Sequence, residues 1–244
     1  MKKIDILGIP FDNLTKKQFV TEIMNNSDAN KKTFIVTANP EIVMYAKENT
    51  SYSCLLHEAD YITADGIGVI KASHMLNTPI IERVAGFDLM ISLLEEANKK
   101  NKRVYFLGAK KEVVKLATEN VATNYPNIII CGFHDGYFGA NDSTIMESVQ
   151  ASNPDFIFVA LGFPRQEEWI HTYLKTASKG ILMGVGGSFD VLSGKVKRAP
   201  KIFQNLHLEW LYRLLKQPTR FVRMLVLPKF LLEVKKVIKE KKVK

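Results

Sequence analysis

The sequence predicts an α/β fold: a Rossmann-like, mostly parallel sheet flanked by helices, with a smaller N-terminal α/β lobe and a C-terminal helical appendage. Three observations lead there. Short apolar runs alternate with amphipathic stretches along most of the 244 residues, the pattern of a chain that buries a sheet between helices. From residue 103 to 186 the order is strand, helix, strand, helix, strand, helix, strand with short loops, and the strands are almost continuously apolar, as strands covered on both faces are. The last fifth changes in charge: residues 195–244 hold 15 Lys and Arg against 3 Asp and Glu, whereas residues 1–194 hold 19 against 22.

The expected strands are IDILGI (4–9), TFIVTA (33–38), YITAD (61–65), RVYFLG (103–108), NIIICG (127–132), DFIFVAL (155–161) and GILMGVG (180–186). Between them the spacing predicts helices over 14–26, 40–49, 51–58, 67–77, 87–101, 110–124, 142–151, 165–178 and 200–216, with a last one from about 219. Pro40 suits the first turn of its helix, and Asn141 or Asp142 suits a cap. The division expected is a core over 1–194, with an N-terminal lobe to about 100 and a Rossmann-like half over 101–194. A basic helical appendage follows over 195–244, punctuated by Pro200 and Pro218 and separable from the body.

Apolar content of 46% and charged content of 24% are those of a globular chain with room for a large core. The opening MKKIDILGIPFDNLT sets Asp5 where a secretory apolar segment would run, so no signal peptide is expected, and no apolar run is long enough to span a bilayer. Cys54 and Cys131 form neither a C-x-x-C nor a zinc spacing, which fits a reduced cytoplasmic protein. His57, His74, His134, His171 and His207 make no metal-ligand pair, and no two aspartates stand two apart. A D-x-D pair holds the cation against the donor diphosphate in many nucleotide-sugar transferases. The expectation is therefore no metal and no cofactor, with phosphate charge met by Arg, Lys and helix N-termini.

Two groups of residues sit where α/β proteins collect functional groups, just past apolar strands. In TANPEIV (37–43) and YITADGIGV (61–69), Thr37, Asn39 and Asp65 are candidates. Asp65 reads either as a general base for a sugar hydroxyl or as a helix cap before Gly66. The loops LGAK (107–110), HDGYFG (134–139), LGFPRQE (161–167) and GVGGSFD (184–190) supply Gly108, Phe163, Gln166, Gly187 and Asp190. Gly-containing loops at four strand ends frame a nucleotide with backbone N–H groups, although no G-x-G-x-x-G or P-loop is present. Gln166 and Glu167 are sugar contacts or first-turn polar residues, and Asp190 binds a ribose or caps a turn.

In the tail, Arg220 and Arg223 share one helix face and Arg213 precedes them across Pro218. Phe221, Met224, Leu225, Val226, Leu227, Phe230, Leu231 and Leu232 run among the charges. That composition fits a helix lying on anionic lipid, or an amphipathic helix packed on the body with a Lys-rich end. The apolar share argues against nucleic acid.

The motifs TANPEIV, TADGIGV, ERVAGFDLM (82–90), VYFLGA, HDGYF, LGFPRQEEWI, GVGGSFDVLSGKVKRAP and EWLYRLLKQPTRFVR, in this order, resemble the WecG/TagA/CpsF family, glycosyltransferase family 26. The resemblance runs from about residue 4 to 228. It implies a metal-independent, inverting transferase at the inner face of the cell membrane, moving a sugar from a UDP donor to undecaprenyl-diphosphate-linked N-acetylglucosamine. In the branch this chain looks most like, the donor is UDP-N-acetylmannosamine and the product begins the wall teichoic acid linkage unit. It also implies Asp65 as the base on the acceptor C4 hydroxyl, and Thr37, Asn39 and Gln166 as pocket residues. Arg83 of ERVAGFDLM joins them as a substrate contact, Arg213, Arg220 and Arg223 close over the diphosphate, and the chain pairs as a homodimer. Other donors, UDP-N-acetylmannosaminuronic acid or UDP-glucose, stay open, as does a nucleotide-binding oxidoreductase on fold alone.

Overall fold

A computed structural model of the chain describes residues 3–139, 142–205, 208–216 and 225–243. Where a single first strand is predicted, the chain makes an antiparallel hairpin of β1 (Lys3–Ile6) and β2 (Ile9–Asp12). The apolar run breaks at Leu7 and Gly8, whose φ angles of 53° and 89° make a tight two-residue turn. Thereafter the predicted alternation holds: α1 (Lys16–Asp28), β3 (Lys32–Ala38), α2 (Pro40–Glu48), α3 (Thr50–His57), β4 (Tyr61–Ala64), α4 (Ile67–Met75) and α5 (Gly86–Lys99). β5 (Arg103–Gly108), α6 (Lys111–Asn124), β6 (Ile129–His134), α7 (Ser143–Ala151), β7 (Phe156–Ala160), α8 (Arg165–Thr176), β8 (Gly180–Gly184) and α9 (Ser188–Leu192) follow.

Local chemistry fixes several boundaries. Thr15 and Gln18 form a capping box on α1, and Asn39, with Pro40 in the first turn, caps α2. Of the two candidates for α7, Asp142 is the cap, accepting from the Thr144 N–H at 3.1 Å.

Six strands form one parallel sheet in the order β4-β3-β8-β7-β5-β6. The seam between the two halves of the chain is β3 against β8, registered Lys32 to Gly180 through Ile35 to Met183. One face is covered by α2, α3, α4, α7 and α8, the other by α1, α5, α6 and α9. Consecutive helices therefore depart to opposite faces after β5 and β7, and again after β8 and β3. Crevices open at such reversals, beyond the carboxyl ends of the strands. The hairpin lies along the outer side of β4, where the buried Asp12 carboxylate accepts the Ile62 N–H at 2.8 Å. Burial raises the Asp12 pKa against that hydrogen bond and Lys3.

The predicted helix 200–216 is two segments, α10 (Lys201–Asn205) and α11 (Glu209–Lys216), and α12 (Val226–Val243) follows. α12 packs on α2 and α4 and buries Phe230 and Val234 completely in the core. Gly68 permits the approach, since a Cβ there would stand 2.6 Å from Leu227 Cδ1. Lys229 pairs with Glu48 at 2.7 Å, and Lys47 pairs with Glu233. Among the tail's apolar residues, Leu225 and Leu232 are exposed, whereas Phe221 and Met224 lie outside the described residues. Among the described residues no helix is long and apolar enough to cross a membrane.

One carboxylate stands out inside the core. Glu167, in the first turn of α8, is 1% exposed, and burial pushes its pKa up to about 7 against the hydrogen bond from Gln166. An acid whose folded pKa exceeds its unfolded value holds its proton more tightly when folded. Its stabilising contribution is complete below pH 4.5 and is lost as pH rises through about 7. Glu167→Gln is expected to remove a decline on the order of 3 kcal/mol between about pH 5 and 8, read from urea midpoints. Phe230→Ala is expected to cost about 3–5 kcal/mol in the same assay, because it empties the contact that seats α12.

Candidate active site

β4, β3 and β8 end side by side on one rim of the sheet. Asp65 follows β4 directly, and its backbone N–H donates to Ala38 O at 2.9 Å, holding it beside the end of β3. The cap position of α4 is taken by Gly66, directly after Asp65. The Asp65 carboxylate stands half-buried with Oδ1 3.9 Å from Arg83 Nη2. Thr37, on β3, donates its hydroxyl to Gly184 O at 3.3 Å. Gly86 opens α5 against this side chain; a Cβ there would come within 2.8 Å of Thr37 Oγ1. Asn39 Oδ1 accepts the Ile42 N–H at 3.0 Å, so its carbonyl serves the α2 cap.

Gln166 closes this group. Its Oε1 accepts the Gly186 N–H at 3.0 Å, and its Nε2 donates to Glu167 Oε1 at 2.7 Å. The amide lies on the bare backbone of β8, where a Cβ on Gly184 would sit 2.7 Å from Gln166 Nε2. Thr37, Asn39, Asp65 and Gln166 are thus brought together through the ends of three adjacent strands.

A cavity of about 630 Å³ opens next to them at the β5/β7 reversal, with Lys110, Tyr137, Arg165 and Asp190 in its walls. Its floor is tight. Gly108 has φ 115°, and a Cβ there would stand 2.5 Å from the Ala160 carbonyl. Ala109 N–H donates to Ala160 O at 3.0 Å, and Ala109 O accepts the Gly136 N–H at 2.8 Å. Arg165 fastens the HDGYFG loop as one wall. Its guanidinium donates to Gly136 O at 2.8 Å and Phe138 O at 2.6 Å, and lies 4.8 Å from the Phe138 ring centre. The neighbouring Tyr137 ring is left 74% exposed at the opening. Gly187 caps α9, whose first turn carries Asp190.

Phe163 lies elsewhere: it packs against Tyr45 and Tyr52, with ring centres 5.5 and 6.5 Å apart, rather than lining the cavity. Among the described residues no three His, Cys, Asp or Glu side chains gather as metal ligands.

α11 is tied to this rim by charge. Glu209 accepts from Arg83 at 2.8 Å and from Arg198 at 3.3 Å, while Arg198 grips both Asp88 oxygens at 2.6 and 2.8 Å. Burial opposes ionisation of Glu209, but Arg83 and then Arg198 hold its carboxyl below the usual range. Arg213 is on α11 with its side chain outside the described residues, and Arg220 and Arg223 lie outside them entirely. Sequence reasoning passed over Lys110, Tyr137 and Arg165, although it had marked their loops. It also passed over Asp88, Arg198 and Glu209, whose long separations carry no local signal.

Comparison with known proteins agrees with this architecture. Residues 4–243 match the model of the glycosyl transferase WecG/TagA/CpsF family. A protein of Bacillus spizizenii named N-acetylglucosaminyldiphosphoundecaprenol N-acetyl-beta-D-mannosaminyltransferase is 48% identical over 209 residues, 86% of this chain and 81% of its own. A Staphylococcus aureus protein of the same name is 44% identical over 237 residues, 96% of this chain and 92% of its own. The chain is a member of the WecG/TagA/CpsF family of glycosyl transferases.

Proposed function

We propose that this protein transfers N-acetylmannosamine from UDP-N-acetylmannosamine to the C4 hydroxyl of GlcNAc-diphospho-undecaprenol, with inversion, in wall teichoic acid linkage-unit synthesis. The observation that carries the reading is the placement of Asp65 at the end of β4 with Thr37, Asn39 and Gln166 at the ends of the neighbouring strands, on the rim that also holds a cavity of about 630 Å³. The acceptor lipid and the sugar that is moved follow the names of the relatives, and the UDP carrier follows the family resemblance.

The residues divide into two tasks. In the cavity, the exposed Tyr137 ring offers a stacking face for the uracil, Asp190 an acceptor for ribose hydroxyls, and Lys110 a cation for phosphate. Gly108 and Gly187 stand behind the cavity lining, Gly108 where β5 closes on β7 and Gly187 at the start of the helix that carries Asp190. On the rim, Thr37, Gln166 and the Asn39 amide hold the reacting sugars. Asp65 takes the proton from the acceptor hydroxyl as its oxygen bonds to the anomeric carbon and the bond to UDP breaks. Arg213, Arg220 and Arg223 counter the diphosphate charge of the leaving UDP, and Arg83 sets the field at Asp65.

The acceptor lipid sets the place of work at the inner face of the cell membrane. Lys235, Lys236 and Lys239 on the outward side of α12 suit an anionic headgroup layer, with the exposed Leu225 and Leu232 on the same helix region. Any such contact comes from the outer surface of α12, because its Phe230 face is already used.

Asp65→Asn is expected to lower kcat by roughly 10²–10⁴-fold with UDP affinity unchanged, measured with a short-chain lipid-diphosphate-GlcNAc acceptor and by calorimetry. Asp190→Ala is expected to weaken UDP binding about tenfold. A panel of UDP-sugars identifies the donor; absence of transfer from every one of them would overturn the reading.

A further inference from the structure

Glu167 is a buried acid to which the proposed reaction assigns no step. It projects from the first turn of α8 into the core, 1% exposed, with Oε1 on the Gln166 Nε2 at 2.7 Å. Its other oxygen, and the hydroxyl of Tyr52 on α3, are buried without a formed hydrogen bond among the described residues, although the two groups interact. Burial, then the Glu167 charge, raises the Tyr52 pKa, so the phenol stays a neutral donor toward the acid. Leaving such groups imperfectly matched in a core is costly, and an apolar side chain at 167 would avoid that cost.

The hydrogen bonding of Gln166 points to what is gained. A glutamine amide has two ends that differ by one atom, and its orientation is set by its partners. Glu167 is an acceptor, so it selects the Nε2 end of Gln166. The Oε1 end is thereby turned to Gly186 N–H, at 3.0 Å, in the loop that leads into α9. Gly184 keeps the pair pressed on β8: a Cβ there would lie 2.7 Å from Gln166 Nε2 and 3.2 Å from Glu167 Oε1. One N–H of the amide remains after the bond to Glu167, on the side chain that shares the rim with Thr37.

We propose that Glu167 is a positioning residue, whose carboxyl oxygen fixes the Gln166 amide so that one end holds the Gly186 loop and the remaining N–H meets the sugar substrate. The reading of Gln166 as a sugar contact rests on the proposed function; the orientation of its amide does not. Precise orientation of a substrate-holding group is worth orders of magnitude in rate.

The test compares Glu167→Met, Glu167→Gln, Gln166→Met and the Glu167→Met/Gln166→Met double variant. Glu167→Met is expected to lower kcat/KM for the acceptor at least about tenfold, as Gln166→Met does, with the double variant no worse than either single one. UDP affinity is expected to fall by a smaller factor than kcat/KM for the acceptor, since the cavity is reached only through the Gly186 loop that leads to Asp190, and an equal fall in both would overturn the proposal. Glu167→Gln keeps an acceptor oxygen and is expected to recover most of the rate. The ¹⁵N–¹H resonance of Gly186 is expected to shift in Glu167→Met and to stay near its wild-type position in Glu167→Gln. An unshifted Gly186 signal, a multiplicative double variant, or a Glu167→Gln as slow as Glu167→Met would overturn the proposal. Should Glu167→Met fail to fold, Gly184→Ala displaces the same amide from the other side and is expected to give the same kinetic loss; wild-type kinetics there would overturn it too. If the wild type transfers no sugar at all, the functional reading fails, while the Gly186 resonance still decides the orientation.

Discussion

The molecule depends on how β8 is enclosed. It is the strand through which the first and second halves of the chain become one sheet, with β3 on one side and β7 on the other. Its five residues are all buried, and it ends on Gly184, where the absence of a side chain is a steric requirement. Thr37 reaches the Gly184 carbonyl from β3, while Gln166 and Glu167 reach its Cα from α8. A central strand is the most rigid support a parallel sheet offers, because its backbone is paired on both edges and covered on both faces. The rim residues inherit that rigidity, and the tolerance for change at this point is correspondingly small.

Around this support the polar groups follow two regimes. In the core, Glu167 and Tyr52 carry an incompletely matched contact that stability alone would not retain. At the boundary with the tail, Asp88, Arg198, Glu209 and Arg83 alternate in sign and leave each charge next to an opposite one. These side chains are partly exposed, so the network fixes where α11 lies more than it adds to stability. Because Arg83 touches both Glu209 and the surroundings of Asp65, the placement of α11 and the field at Asp65 are physically linked.

Much of this was legible in the sequence. The alternation of apolar and amphipathic runs placed the six strands of the parallel sheet in order, since each is bounded by a helix of recognisable period. Thr37, Asn39, Asp65 and Gln166 could be picked out as candidates because they lie at or just past the ends of apolar runs. Gly66 takes the cap position of α4 directly after Asp65, a matter of backbone geometry no composition reveals. The hairpin was missed because Leu7 adopts a positive φ that leucine seldom takes, leaving Gly8 as the sole signal. The strand order and the reach of Arg198 to Asp88 depend on contacts between residues far apart in sequence, where local pattern carries no information.

That missed hairpin has a role beyond adding two strands. An outermost strand normally presents a row of unpaired N–H and C=O groups, a template on which another chain can add. Along β4 the hairpin fills that position, with the Asp12 carboxylate serving in place of a backbone carbonyl for Ile62. Residues 3–12 thereby occupy the place along β4 where a further strand could otherwise add, a packing role separate from the chemistry of the rim. The opposite margin, β6, is irregular where its pairing with β5 shifts between Val104 and Tyr105, a local break that discourages regular strand addition by other means.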